Sequence, residues 1–372
     1  MRKIIFVIPS LAAGGTERQL VHLIKGLEKN FNITIVCTRT GGAWAGNVRR
    51  HARVEVLGLR GGWDPRMTKR LTRMFRKFKP DIVHSFMFGF DYVVNVAARQ
   101  SRVPIVVSSR RQLADWKKPR HIRLQKKANP LVDAIVANSH AVAAFASAQE
   151  ESSIDSYRVI HNGIDSTAML SNVAPAVVRK RFRIPKSKFV VGMVANMSPV
   201  KDYPLFVETA AEILRRREDV HFLMVGHGPE AGSILRKIKK MHLLDSFTGI
   251  KTVSELPDLL RLFSVCALTS KVEGLPNVVM EAMAAKVPVV ASSVGGIPEL
   301  VENEKTGLLV PLRTPERFAD AIERCLDEVG DTQSRVQRAY TNITLEFSLP
   351  KMVDGYEKLY DELIEKALRD QD

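Results

Sequence analysis

The chain is short of cysteine, of aromatic residues and of long apolar runs. Its three cysteines, Cys37, Cys266 and Cys325, have no spacing that would hold a metal or frame a set of disulfides. An odd, sparse count suits reduced thiols and hence a cytoplasmic protein. No apolar stretch approaches the roughly 18 residues that a membrane span needs. The opening apolar run, Ile4 to Ile8, falls short of the roughly 7–15 residues of a signal-peptide core, and Pro9 ends it. It reads as a buried first strand. There is no Walker loop and no nucleophile elbow. The G-x-G-x-x-G spacing is missing after the first strand, which argues against a nicotinamide enzyme. The nine histidines are scattered, and the one Asp-x-Asp is Asp370-Gln-Asp372 at the terminus, so no metal is expected.

Acidic residues are scarce only in the first half. Residues 1–165 carry 28 Lys and Arg against 12 Asp and Glu, while residues 166–372 carry 28 of each, so the formal net charge of +16 sits entirely in the first half. Two runs stand out there. Arg66 to Lys79 sets Met67, Leu71, Met74, Phe75 and Phe78 at helical spacing, with Arg and Lys on the opposite face. Lys117 to Lys127 is the second. Such an amphipathic helix suits anionic lipid headgroups, and it equally suits a helix packed on a sheet with its charges in water. An anionic membrane surface is thus one expected partner of the basic half. Nucleic acid is not, because the runs lack interleaved stacking aromatics apart from Phe75 and Phe78, and no DNA-binding motif is present.

Strand-like apolar runs alternate with helix-like segments along the whole chain. The first half has seven: Lys3–Pro9, Asn32–Thr38, Val54–Leu57, Asp81–His84, Ile105–Ser108, Ala134–Ala137 and Arg158–Ile160. The second half repeats the plan with Phe189–Ala195, His221–Val225, Val265–Thr269 and Val287–Ala291. Near-continuous Val and Ile runs mark strands buried on both faces, as in a parallel sheet, and the alternation implies doubly wound α/β architecture. Two such units in tandem predict two Rossmann-like domains, 1–165 and 166–349, with ligands beyond the carboxyl ends of the strands and in the cleft between domains. Asn162-Gly163 supplies the turn at the boundary. Residues 350–372 read as an amphipathic helix: Met352, Val353, Tyr356, Leu359, Tyr360, Leu363, Ile364 and Leu368 recur at helical spacing.

The most specific stretch is Lys271-Val-Glu273-Gly-Leu-Pro-Asn-Val-Val-Met-Glu281. Glu273-Gly274-Leu275 reads as a loop, and Pro276 fits the first position of a helix. The amides of Asn277, Val278 and Val279 then lie in a first turn that attracts phosphate. Gly274 allows close approach of a ligand to the backbone. Glu281 is a lone carboxylate on an apolar helix and needs donors, which sugar hydroxyls would supply. A solvated Glu on a half-buried helix is the plain alternative. The block resembles the E-x7-E signature of the retaining family 4 glycosyltransferases, and the likeness runs on into Pro288-Val-Val-Ala-Ser-Ser-Val-Gly-Gly-Ile-Pro-Glu299.

That resemblance implies the GT-B fold: two Rossmann-like doubly wound domains with an interdomain cleft, and a C-terminal helix that crosses back onto the first. It implies that the second domain binds a nucleotide-diphosphate sugar, a UDP-sugar by preference, as co-substrate, with no other cofactor. Glu281 would accept ribose hydroxyls, Glu273 would hold the sugar, and the stretch Gly274, Leu275, Pro276, Asn277 would meet phosphate and sugar. Gly14-Gly15, after the first strand, would meet the donor phosphates and the acceptor, with a simple strand-to-helix turn as the equal alternative. Lys201 matches the family lysine that neutralises the diphosphate and stabilises the leaving charge. Asn196 stands where the family usually has an arginine. Gly249 and Lys251 fall where the base is held. Departures also appear in the first half. Arg110 and Arg111 replace a histidine near the reacting centre, and an arginine cannot be a general base, though the pair can grip the donor diphosphate, so supplying the second cation that Asn196 removes, or an anionic acceptor, with a solvated basic turn as the equal alternative. His84 matches a frequent family histidine and is an acceptor-binding candidate, with a purely structural role at least as natural.

The chain is therefore expected to be a retaining, metal-independent glycosyltransferase. It would act on a glycan or lipid-linked acceptor in cell-surface polysaccharide or lipopolysaccharide biosynthesis, in the cytoplasm or peripherally on the inner membrane face. A sugar-nucleotide epimerase of the same fold and a basic nucleic-acid-binding protein are the alternatives.

Overall fold

The structure is a computed structural model and describes residues 1–59, 66–86, 89–186, 188–252 and 255–370. Gln371 and Asp372, which the expected last helix and the Asp-x-Asp motif include, lie outside the described residues. The chain divides into two compact units, Met1–Gly163 with Leu349–Asp372, and Ile164–Ser348.

The first unit is built on seven parallel strands: β1 (Arg2–Ser10), β2 (Phe31–Thr40), β3 (Arg53–Val56), β4 (Ile82–Ser85), β5 (Ile105–Arg110), β6 (Ala134–Ala137) and β7 (Tyr157–Val159). Their order is β3-β2-β1-β4-β5-β6-β7. β1 shows why the run is apolar without alternation. Ile4, Phe6 and Ile8 join one core, while Ile5 and Val7 join another on the opposite face. Each large side chain so buried contributes about 1.5–3 kcal/mol, and here both faces contribute. The first face is covered by the helix Gly15–Leu27, which buries Leu20, Leu23, Ile24 and Leu27, and by the C-terminal helix Leu349–Arg369, which buries Met352, Tyr356, Leu359, Tyr360 and Ile364. These two helices meet at Gly26, where an added Cβ would lie 2.3 Å from Val353. The other face is covered by the helices Arg66–Phe78 and Asp91–Gln100.

The second unit holds six parallel strands: β8 (Phe189–Val194), β9 (Val220–Val225), β10 (Phe247–Ile250), β11 (Val265–Leu268), β12 (Val289–Ser292) and β13 (Leu308–Val310). Their order is β10-β9-β8-β11-β12-β13. The two edge strands, β10 and β13, are absent from the sequence expectation. Because all strands of a sheet run the same way, every strand-to-helix loop of this unit emerges on one edge. The three thiols are buried, Cys37 in the first unit and Cys266 and Cys325 in the second.

Candidate donor-binding site

In the second unit the parallel sheet gathers four loops. After β8 comes Asn196, exposed, and then the short turn Pro199–Lys201. The Thr269 hydroxyl, just past β11, donates to the carbonyls of Lys201 (3.2 Å) and Asp202 (3.0 Å) and so fixes the lysine's backbone. Lys201 Nζ lies 2.5 Å from Glu273 Oε1, and the Ser270 hydroxyl donates to the same oxygen at 2.6 Å. Glu273 is braced from the loop after β12. Its carbonyl accepts from the Gly296 amide at 3.2 Å, and Gly295 has φ +53, so close to it that a Cβ would sit 1.9 Å from that oxygen. Only glycine fits a left-handed position with no room for a side chain. The turn after β9 packs on the Asn196 loop in the same manner. A Cβ at Gly228 would lie 2.5 Å from Asn196 Oδ1, and Met197 donates to the His227 carbonyl at 2.9 Å.

The helix after β11 is Asn277–Ala284. Pro276 is not its first residue, as the sequence suggested, but its N-cap, with ψ 116 in the extended region. Its carbonyl already accepts from the Val279 amide at 3.2 Å, so Val279 is committed within the turn. Glu281 is 4% exposed on the buried face of this helix. Its charge reaches Cys266 on β11, whose thiol is pushed up to about 12, by burial first and by Glu281 second. The structure thus brings Lys201, Glu273, Gly274, Leu275, Pro276 and Asn277 to one edge, with Glu281 one turn behind. Gly249 and Lys251 are exposed at the end of β10, and among the described contacts none ties them to the Lys201–Glu273 pair.

The first unit treats its expected site residues differently. Gly14 is the N-cap of the helix Gly15–Leu27, and a Cβ there would lie 2.2 Å from Glu17 Oε2, so the carboxylate of the first turn folds over it. Arg110 is not placed to grip a ligand. Its side chain is 3% exposed and meets Glu150 with Nε at 2.9 Å and a terminal nitrogen at 3.0 Å, with Asn129 at 2.9 Å and Asp91 at 3.5 Å. Burial opposes the guanidinium charge, but Glu150 and Asp91 outweigh it and hold the group ionised. Lys117 joins the cluster at 3.2 Å from Glu150. The expected ligand role of His84 also fails on access. The ring is fully buried between Tyr360 Oη (2.7 Å) and Ser109 Oγ (2.8 Å), and burial, then the Arg111 charge, lowers its pKa to about 3. It is a neutral tie between β4, β5 and the C-terminal helix. Arg111 is half-buried, donates to Tyr356 Oη (3.2 Å) and Asn162 Oδ1 (2.5 Å), and lies over the Phe86 ring at 4.8 Å.

Two family models match this chain. Glycosyltransferase Family 4 matches residues 13–168, and Glycosyl transferases group 1 matches residues 188–328. The chain belongs to glycosyltransferase family 4. Curated relatives include an alpha-D-kanosaminyltransferase of Streptomyces kanamyceticus, 31% identical over 50% of this chain and 49% of the relative. A UDP-Gal:alpha-D-GlcNAc-diphosphoundecaprenol alpha-1,3-galactosyltransferase of Escherichia coli is 27% identical over 79% of this chain and 78% of the relative. The chain spans about half the length of the first curated relatives it matches. Among solved structures, HepE of Anabaena in complex with UDP and glucose superposes with a TM-score of 0.88 at 20% identity, over 97% of this chain and 100% of that one. Sucrose-phosphate synthase of Thermosynechococcus elongatus gives 0.80 at 18% identity, over 98% and 100%. These likenesses establish the GT-B fold.

Within this family 4 chain Asn196 stands where an arginine is usual, and Lys201 is the cation of that motif that remains. Arg313, three residues past β13, is a further cation on the second unit's edge. One terminal nitrogen pairs with Asp202, beside Lys201, and also donates to the Thr269 carbonyl at 3.3 Å, while its Nε is buried with no hydrogen-bond partner among the described residues. Its position directly after the last strand was its only sequence signal, and β13 itself escaped notice.

Proposed function

We propose that the chain is a retaining, metal-independent glycosyltransferase that moves a sugar from a nucleotide-diphosphate sugar, a UDP-sugar by preference, to a lipid-linked or anionic glycan acceptor. The observation that carries the reading is the Lys201–Glu273 pair beside the start of the helix Asn277–Ala284, on the carboxyl edge of a parallel sheet. In this reading Lys201 faces the diphosphate and stabilises charge on the leaving group. Glu273 accepts from sugar hydroxyls, Glu281 from the ribose, and the amides of Leu275 and Asn277 meet phosphate and sugar. Asn196, Gly249 and Lys251 line the nucleotide side. No side-chain nucleophile is assigned. The acceptor hydroxyl attacks the anomeric carbon on the face the diphosphate leaves, and its proton passes to the departing phosphate oxygen.

The acceptor belongs to the basic first unit. The helix Arg66–Phe78 turns Met67, Leu71 and Phe75 inward and leaves Lys69, Arg70, Arg73, Arg76 and Lys77 exposed. Trp116 is 52% exposed beside Lys118, Arg120 and Arg123. An aromatic within a basic surface suits the headgroup region of an anionic bilayer. Among the described residues no helix is long and apolar enough to cross a membrane. Peripheral attachment at the cytoplasmic face, in polysaccharide or lipopolysaccharide assembly, fits these features, and the Escherichia coli relative is named for a diphosphoundecaprenol-linked acceptor.

Thermal shift against a panel of nucleotide sugars identifies the donor, and NMR of the product reads the anomeric configuration. An inverted product rejects retention, and loss of turnover in EDTA rejects metal independence. Conversion of the donor alone into another nucleotide sugar would make the protein an epimerase. Failure to float with anionic vesicles at physiological salt rejects the membrane surface.

A further inference from the structure

We infer that Lys201 is exchanged between Glu273 and the donor diphosphate, and that this exchange makes the site prefer a sugar-bearing nucleotide to the bare nucleoside diphosphate. The inference rests on the donor site proposed above. In the structure the ammonium and the carboxylate neutralise each other at 2.5 Å, with both side chains largely withdrawn from water (23% and 8% exposed). A diphosphate that takes Lys201 therefore uncovers a nearly buried carboxylate. The Ser270 hydroxyl, at 2.6 Å, is then the donor left to it among the contacts described. A buried charge stripped of its counter-ion is costly, the more so beside an incoming anion. A nucleotide sugar offsets that cost with its hydroxyls, which reach Glu273 in place of the ammonium. A bare nucleoside diphosphate does not.

The backbones on both sides are held still. Thr269 pins the Lys201 carbonyl, and Gly295-Gly296 close on the Glu273 carbonyl. The exchange is thus a swing of two side chains. It gives the site a means of product release. Once the sugar has gone to the acceptor, Glu273 loses its hydroxyl donors, reclaims Lys201 and displaces the nucleoside diphosphate. Glu273 is then a specificity-determining residue by competition for a cation as well as by contact with the sugar.

The test is calorimetric titration of the full chain with UDP, and with the nucleotide sugar that stabilises it, in wild type and variants. Glu273→Gln keeps the shape and removes the charge. It should bind UDP about ten-fold tighter than wild type, although it binds the nucleotide sugar no tighter. Ser270→Ala should shift UDP affinity the other way, weakening it by about three-fold or more, because the uncovered carboxylate loses its remaining hydroxyl. In a Lys201→Gln background, Glu273→Gln should bring no tightening, since there is no ammonium left to release. General damage to the site would weaken UDP in every variant. UDP affinity unchanged or weaker in Glu273→Gln, with wild type still binding the nucleotide sugar, overturns this inference and leaves the proposed function standing. Tightening that persists without Lys201 overturns it as well. If wild type binds no nucleotide or nucleotide sugar, both readings fall.

Discussion

Each unit sets a cation against a carboxylate near the carboxyl ends of its strands, and the two pairs have opposite characters. In the first unit Arg110 and Glu150 are 3% and 0% exposed and are joined by Asp91, Lys117 and Asn129, so the ions are sealed among partners from the same unit. In the second, Lys201 and Glu273 come from two loops, and the lysine keeps 23% of its side chain exposed. The first arrangement is a structural tie, and the second can change partners. The basic excess lies in the first half, yet the proposed phosphate site lies in the half with no net charge. Net charge reports on long-range attraction and surfaces, whereas an anion site depends on where one cation is held and what it must give up.

The largest expected effect breaks the sealed pair. Glu150→Ala leaves Arg110 buried without its main counter-ion and should destabilise the first unit by about 3–5 kcal/mol. Chemical denaturation followed by hydrogen exchange should show loss of protection in β5 and β6 while UDP binding, which the proposed function assigns to the second unit, persists. Equal loss from both units would erase the distinction. Next comes the exchangeable pair. Lys201→Ala should lower the rate of sugar transfer about 10²–10³-fold and destabilise the second unit by clearly less than Glu150→Ala destabilises the first, since Glu273 loses its counter-ion but keeps the Ser270 hydroxyl. A fall in stability as large as that of Glu150→Ala would class Lys201 with the structural ions.

A smaller effect sharpens the comparison through pH. An unfolded imidazole takes a proton near 6.5, whereas the folded His84 does so at about 3, because burial disfavours its charge. The unfolded state therefore binds more protons between those values. The stability this contributes is complete above about pH 6.5 and is lost as the pH falls, by up to about 1.4 kcal/mol per pH unit. His84→Phe should flatten that slope in urea denaturation between pH 6 and 4, and an unchanged slope would contradict the buried, neutral assignment. The smallest effect concerns Glu281→Ala, which should weaken the nucleotide sugar about ten-fold in titration while leaving fold stability nearly intact. Unaltered affinity would make Glu281 a helix carboxylate with no part in the donor site.

What was legible in the sequence follows from how local each signal is. The five inner strands of the first unit, β2, β1, β4, β5 and β6, announce themselves as apolar runs because both faces of each are covered, whereas its edge strands β3 and β7 show only the alternation of Val54 with Val56 and of Tyr157 with Val159. β10 and β13 escaped notice because an edge strand is short and needs fewer apolar positions. Phe247–Ile250 contains Thr248 and an exposed Gly249, and Leu308–Val310 is three residues long. The Glu273–Glu281 block was readable because its loop, glycine, proline and carboxylates are contiguous. Arg110 was misjudged because the partner that defines it, Glu150, lies 40 residues away, and a basic pair at a strand end looks the same whether its counter-ions are buried with it or missing. The Lys201–Glu273 pair spans 72 residues, so the sequence supplied both members without showing that they meet. Pro276 was displaced by a single position, since a proline that opens a helix and one that caps it differ only in ψ.

The three cysteines give these units built-in clocks. Cys37 lies in the first unit and Cys266 and Cys325 in the second, all buried, and burial holds their thiols at about 11, 12 and 11, so an alkylating reagent at neutral pH meets almost no thiolate until a segment opens. Labelling of Cys37 times the opening of one unit, and labelling of the other two times the second. A nucleotide sugar that binds the second unit should slow the modification of Cys266 and leave that of Cys37 at its own pace. The native sequence can thus report, without any engineered probe, which half of the molecule a ligand holds shut.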